Sequence, residues 1–158
     1  MTKITEKVYS QALMLVLFVN GLIWLRSAWG KVTEGKFVGS LGGTLTKFAG
    51  NNPYHSYKQL LTDLAIPNSI TIGNLIMWSE LAVAILISGS ALYLLANPKA
   101  NIKMGSLFFG LGLIGGITLN TMFWLAAGWT SPSTDGLNLF MLVTQLIGLV
   151  VIIRASLR

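Results

Sequence analysis

The sequence predicts an all-α integral membrane protein, a four-helix bundle whose first outer loop carries short amphipathic helices. Hydrophobic residues make up 53% of the 158 residues and charged residues only 10%, and the mean hydropathy is +0.68. Soluble domains usually contain about 25% charged residues. Apolar stretches near 9–29, 70–96, 104–128 and 136–153 are long enough to cross a membrane, which takes about 20 residues.

The first predicted span ends near Trp29, and a long outer loop, residues 30–69, follows it. Hydrophobic residues recur at helical spacing over about 36–49 and 54–66, with a Gly-Asn-Asn-Pro break between them. This pattern predicts two amphipathic helices on the outer surface. Such a loop caps the end of the bundle, or it serves as a docking surface or a gate.

The other spans are separated by turn sequences. Asn97-Pro98-Lys99 divides the second span from the third, and a Ser/Thr/Pro-rich segment divides the third from the fourth. Asp135 is the predicted N-cap of the fourth helix. Gly112 and Gly116 form a G-x-x-x-G pattern, which favours close helix packing within the bundle or against another subunit. The whole chain, 1–158, therefore reads as one membrane domain.

The distribution of basic residues predicts that both termini are cytoplasmic. An even number of spans puts the termini on one side, and six Lys or Arg residues fall in the tails and loop there against four in the long outer loop. The six are Lys3, Lys7, Lys99, Lys103, Arg154 and Arg158; the four are Lys31, Lys36, Lys47 and Lys58. Anionic lipid headgroups account for the net charge of +6 without nucleic acid.

The chain has no cysteine and one histidine, His55. Disulfides, iron–sulfur clusters, thiolate metal sites and haem held by two histidines of one chain are therefore excluded. No metal site is predicted, and redox chemistry would need a partner.

All five tryptophans fall in the outer half of the predicted bundle. An interfacial belt accounts for Trp24, Trp29, Trp124 and Trp129. Trp78 lies deeper, about 12 Å along its helix, and it either packs or faces lipid, or forms the wall of a ligand pocket.

Polar residues of four helices collect at the same outer level. They are Arg26, Asn74, Glu80, Asn120 and Asn138. A charged residue within a span usually faces the bundle interior with a partner, and Arg26 is the expected partner of Glu80. The pair is a structural ion pair, or Glu80 is protonated and bonds a helix backbone, or both line a pocket where Glu80 exchanges protons and Arg26 orients a carbonyl or anion. The asparagines join that pocket or bond across helices.

Three segments resemble bacterial DoxX-like membrane proteins. They are residues 120–138 (NTMFWLAAGWTSPSTDGLN), 26–31 (RSAWGK) and the acidic motif Trp78-Ser79-Glu80. The resemblance implies a four-helix protein of the bacterial cytoplasmic membrane, akin to DoxD, a subunit of thiosulfate:quinone oxidoreductase. It also implies oxidoreductase partners, quinone as electron acceptor and a sulfur compound as donor.

Two functional hypotheses follow. In the first, the chain is a membrane subunit of a quinone-linked oxidoreductase. The polar layer binds the quinone ring, Trp78 and Trp124 form the walls of the pocket, and Glu80 exchanges protons. In the second, the chain is a non-catalytic accessory subunit of a larger energy-transducing or photosynthetic membrane complex. A transporter is a weaker third hypothesis, because no inverted repeat relates the two halves.

Overall fold

The computed structural model describes the backbone of residues 3–97 and 102–156, and the side chains of residues 8–97 and 107–154. Over these residues the fold is all-α, as predicted. The elements are α1 (Lys3–Glu34), α2 (Phe37–Gly50), α3 (His55–Leu60) with a following π-helical turn (Leu61–Ala65), α4 (Ser69–Ala96), α5 (Ile102–Ala127), a 3-10 turn (Gly128–Thr130) and α6 (Pro132–Ser156). Pro98 and Lys99 of the predicted break lie outside the described residues.

Four of these helices, α1, α4, α5 and α6, are long and apolar enough to cross a membrane. The prediction of a multi-pass membrane protein is therefore confirmed, whereas the side that each terminus faces stays a prediction. α1 ends at Glu34 rather than near residue 29. The helix continues to this point because the residue that stops it is Gly35, whose φ of +64° is left-handed.

The long helices pack in chain order, with α1 against α4, α4 against α5, and α5 against α6. Glycines bring the backbones close. A Cβ atom on Gly21 would lie 2.7 Å from the Ser88 backbone nitrogen, and one on Gly112 would lie 2.8 Å from the Leu86 Cβ. At Gly116 the added atom would meet the Gln145 side chain. The G-x-x-x-G pattern thus serves packing inside the bundle.

The main core lies between these four helices. Its buried members are Met14, Leu17, Trp24, Val83, Ala84, Ile87, Ala91, Phe109, Leu113, Leu119, Met141 and Ile152. The outward-facing side chains of the same helices are mostly large and apolar. Such a surface suits a lipid bilayer, because lipid tails are as apolar as the side chains that face them.

The first outer loop forms a helical layer over the outer end of the bundle, here called the outer layer: α2, α3 and the π-helical turn. The two amphipathic helices predicted there are confirmed. Their apolar residues Leu41, Leu45, Ala49, Leu61 and Ala65 form a second core with Ile76 of α4. Phe123 of α5 packs against both cores and so joins the outer layer to the bundle.

The junction between α5 and α6 differs from the prediction at the start of α6. Ser131, not Asp135, caps the helix, because α6 begins at Pro132 and the Ser131 hydroxyl accepts a bond from the Thr134 backbone N–H at 3.2 Å. The Asp135 carboxylate instead accepts a 2.6 Å hydrogen bond from the Trp124 indole N–H. Proline at the first helical position favours this earlier start.

Candidate functional site

Glu80 of α4 lies fully buried beneath the outer layer and forms an ion pair with Lys31 of α1. Its second carboxylate oxygen accepts a 2.9 Å hydrogen bond from the Ser27 hydroxyl. Ser27 and Lys31 are four residues apart, so they lie one above the other on the same face of α1. Both carboxylate oxygens are thus bonded, as a buried charge requires.

The Lys31 ammonium lies at the boundary between this pair and the second core. It contacts Glu80, and it donates a weaker 3.3 Å bond to the Ser27 hydroxyl. The cation also lies 4.7 Å from the ring centre of Phe37 and 5.5 Å from that of Phe123, within the range of a cation–π contact. An ammonium has three N–H donors, and the two oxygens that it contacts leave one donor unused among the described residues.

A cavity of about 270 Å³ lies between the outer layer and the bundle, here called the outer cavity. Lys31 lines it and is the only charged residue among its lining residues. Glu80 and Ser27 lie behind Lys31 and do not line it. The rest of the wall is aliphatic and aromatic, with Phe37, Phe48 and Phe123 among its members and Tyr57 and Thr44 as its other polar side chains.

Hydrogen bonds fasten the outer layer over this cavity. The buried Asn52 amide donates a 3.0 Å bond to the Leu125 carbonyl, and the Tyr57 hydroxyl donates a 2.8 Å bond to the Met122 carbonyl. The Leu125 carbonyl is among the last four of α5, which have no intrahelical partner, and the Met122 carbonyl lies about one turn earlier. Burial raises the pKa of the Tyr57 phenol above its ordinary value of 10.0.

The expected pairing of Arg26 with Glu80 is wrong. The buried face of α1 carries Trp24 and Ala28, and Arg26 lies about half a helical turn away from that face. Its side chain is exposed. Lys31 contacts Glu80 instead. The prediction assigned Lys31 to the loop, but α1 extends past its predicted end, so Lys31 lies on the buried face of the helix.

The other predicted site residues do not gather around Glu80. Asn74 and Trp78 lie on the exposed side of α4, where the Asn74 amide bonds the Ile70 carbonyl and Trp78 is 56% exposed. Trp124 is held by Asp135 and packs against the ring of Tyr54. These positions leave no shared polar layer, and a catalytic or ligand-binding role for these residues stays a prediction.

The two remaining asparagines differ from each other. Among the described residues, Asn138 bonds only within α6, to the Thr134 carbonyl. Asn120 is buried and donates a 3.0 Å bond to Gln145, whose amide donates a 2.8 Å bond to Asn20. The Asn20–Gln145–Asn120 chain joins α1, α6 and α5 by side-chain bonds, as the inter-helix alternative for the asparagines predicts.

The belt prediction is wrong for Trp24, which is 3% exposed and packs against Phe123 with ring centres 6.0 Å apart. Its indole N–H is a buried donor with no partner among the described residues. Trp29 and Trp129 are exposed, as belt residues are.

Sequence reasoning missed Ser27 and Lys31 as partners of Glu80. Their spacing of four residues was a usable signal, since together with Trp24 and Ala28 it marks one face of α1. Comparison of the chain with protein-family models, with proteins of established function and with solved structures found no match. The resemblance to DoxX-like proteins therefore stays a prediction.

Proposed function

We propose that this chain is a membrane subunit of a quinone-linked oxidoreductase and that the quinone ring binds in the outer cavity. The observation that carries the proposal is the Lys31 ammonium, which lines an otherwise uncharged cavity and has a donor left over after its contacts with Glu80 and Ser27. A quinone carbonyl is a suitable acceptor for that donor, and the apolar wall suits the ring.

The size and the wall of the cavity favour a single ring rather than a whole quinone molecule. Its volume of about 270 Å³ is slightly below the range of ligand pockets, which run from about 300 to 1,000 Å³. The rings of Phe37 and Phe123, which already flank the Lys31 cation, provide flat faces for a second flat ring. The isoprenoid tail would then extend out of the cavity toward lipid.

Quinone reduction to the quinol takes up two electrons and two protons. Lys31 would donate a hydrogen bond to one carbonyl oxygen and stabilise the negative charge that develops there, and both protons would come from water. Glu80 would hold the ammonium in position and balance its charge in a region of low dielectric. The electrons would come from the redox centre of a partner subunit, because this chain has neither cysteine nor a histidine pair.

The resemblance to DoxX-like proteins supports the same proposal and adds its biological setting. By that resemblance the chain would lie in the bacterial cytoplasmic membrane, and the distribution of basic residues would put its termini in the cytoplasm and the cavity on the opposite side. A sulfur compound such as thiosulfate would then be the electron donor, oxidised by the partner.

The experiment compares quinone content after gentle purification in mild detergent, measured by mass spectrometry as molecules per chain. Lys31→Met should lose the quinone because the only charged donor among the lining residues is gone. Ala126→Phe should also lose it, because the new ring fills the cavity from α5. Lys47→Met is the matched control and should retain it, since Lys47 is an exposed lysine that does not line the cavity. Equal retention in all variants would overturn the proposal.

The alternative is a non-catalytic accessory subunit of a larger membrane complex. A specific observation favours it, namely that Arg26 is exposed on a membrane-spanning helix without a partner among the described residues. Native purification that yields a large complex with no quinone bound to this chain would favour the accessory function.

A further inference from the structure

The outer layer exposes very few large apolar side chains. In α2, α3 and the π-helical turn, whose side chains are all described, only Leu60 and Leu64 are both large and apolar and exposed, at 44% and 53%. Every other exposed position of these elements is glycine or polar. The neighbouring Leu61 and Ala65 are buried, as the apolar residues of an amphipathic segment usually are. The exposure of the two leucines therefore sets them apart from the rest of the layer.

Both leucines line the outer cavity where it opens. The exposed residues among those that line the cavity mark its mouth, and in the described structure they are Thr44, Leu60, Leu64 and Met122. Met122 belongs to α5 and is 39% exposed, and its carbonyl accepts the hydrogen bond from Tyr57 that holds α3 against α5. The large apolar side chains at the mouth thus come from both the outer layer and the bundle.

The backbone at the mouth is irregular. Leu61–Ala65 is a π-helical turn, and the Ile66 N–H donates a 2.9 Å hydrogen bond to the Leu61 carbonyl. Such turns are rare and occur frequently at functional sites. The spacing of four residues puts Leu60 and Leu64 next to each other on one flank of the segment, where they form a continuous apolar strip.

The cavity has room for a ring but not for a long chain. Its volume of about 270 Å³ equals that of about nine water molecules in the liquid, at about 30 Å³ each. A substituted quinone ring takes up such a space, so a tail of several isoprenoid units has to leave through the mouth. The strip of Leu60 and Leu64, with Met122 opposite, is the first surface that the tail meets.

We propose that Leu60, Leu64 and Met122 bind the first isoprenoid units of the quinone tail, so that the site selects long-tailed quinones over tailless ones. This inference rests on the proposed function, because the tail is attached to the ring that the outer cavity binds. The bound tail covers the exposed leucines of the outer layer, and removal of apolar surface from contact with water or headgroups supplies the affinity.

The test compares two quinones that have the same ring, one with a decyl tail and one with a methyl group in its place. Their dissociation constants are measured by titration calorimetry of the purified protein at one detergent concentration. Partition into detergent then affects every variant equally. Leu60→Ser/Leu64→Ser should weaken binding of the tailed quinone by about tenfold or more, because two apolar contacts are lost. Binding of the tailless quinone should change by less than about twofold.

Two controls separate the tail from the ring. Leu75→Ser/Leu92→Ser changes two exposed leucines of α4 that do not line the outer cavity, and it should leave both dissociation constants unchanged. Ala126→Phe fills the cavity itself and should weaken binding of both quinones alike.

A photoreactive group on the first isoprenoid unit of a tailed quinone tests the position in the wild type, without any substitution. We expect adducts at Leu60, Leu64 and Met122, mapped by mass spectrometry, which an excess of unlabelled tailed quinone suppresses. Adducts confined to the outward faces of the four long helices, and not suppressed by the competitor, would overturn the proposal.

The outcomes distinguish the tail surface from the proposed function. If the wild type binds neither quinone, both are overturned. If the wild type binds both quinones and Leu60→Ser/Leu64→Ser changes the two dissociation constants equally, or changes neither, the proposed function stands and the tail surface is overturned.

Discussion

Replacing Lys31 with methionine should destabilise the protein strongly, because it leaves a charge in the interior. Glu80 is fully buried, and after the substitution only the Ser27 hydroxyl would remain bonded to it. Removing one partner of a buried ion pair costs about 3–5 kcal/mol. We expect this range for Lys31→Met, and about 1–3 kcal/mol for Glu80→Gln, because the Lys31 side chain is 20% exposed and can turn toward water.

The double variant Lys31→Met/Glu80→Leu separates lost charge balance from lost packing. With both charges gone, an apolar pair of similar volume fills the site, and such replacements are often neutral or stabilising. The double variant should therefore be more stable than Lys31→Met alone by about 2 kcal/mol or more. Lys47→Met, at an exposed lysine of α2, is the control and should change stability by less than about 0.5 kcal/mol.

The assay is the free energy of unfolding in detergent micelles, from denaturant titrations followed by far-UV circular dichroism. A cost below about 1 kcal/mol for Lys31→Met would refute the reasoning, because the charge of Glu80 would then not depend on Lys31. A double variant no more stable than Lys31→Met would refute it too, since the pair would not be coupled.

Three further predictions concern packing, the inter-helix amide chain and the outer layer. Gly21→Ala should cost about 1–3 kcal/mol in the same assay, because its Cβ meets the α4 backbone, whereas Gly89→Ala, which meets nothing within 4 Å, should cost nothing; equal effects would contradict the packing described. Gln145→Leu should lower the free energy of unfolding by about 1–3 kcal/mol, since two buried asparagine amides lose partners. A Gln145→Leu variant as stable as the wild type would contradict this role of Gln145. Because the pKa of Tyr57 is raised in the folded state, its contribution to folding stability is complete below pH 10 and is lost as the pH rises through the folded-state pKa. Unfolding measured at increasing alkaline pH should show that loss in the wild type and not in Tyr57→Phe.

The fold was predictable because its signals are local in the sequence. The length of each apolar stretch and the turn residues between them define four spans without any knowledge of packing, and the described residues form four such helices. The amphipathic helices of the outer layer were equally visible, since their apolar positions recur at helical spacing among polar ones. The early start of α6 was missed because Ser131 and Asp135 are both good capping residues.

The site was not predictable to the same extent. Within a uniformly apolar stretch no periodicity tells which face of a helix is buried, so Arg26 and Glu80 were paired by charge and depth alone. In the structure Arg26 lies on the outward face of α1, and Lys31 contacts Glu80 because α1 continues to Glu34. Asn120 bonds across helices, as one of the predicted alternatives has it, but its partner Gln145 lay outside the predicted set.

The most direct test of the account is the infrared spectrum of the purified protein loaded with a quinone labelled with ¹³C at each carbonyl in turn. The account predicts that one of the two carbonyl stretches is lowered in frequency by the Lys31 ammonium, in the wild type and in Lys47→Met alike. Two carbonyl stretches at the frequencies of the free quinone, or failure of the wild type to retain quinone in the outer cavity, would contradict it.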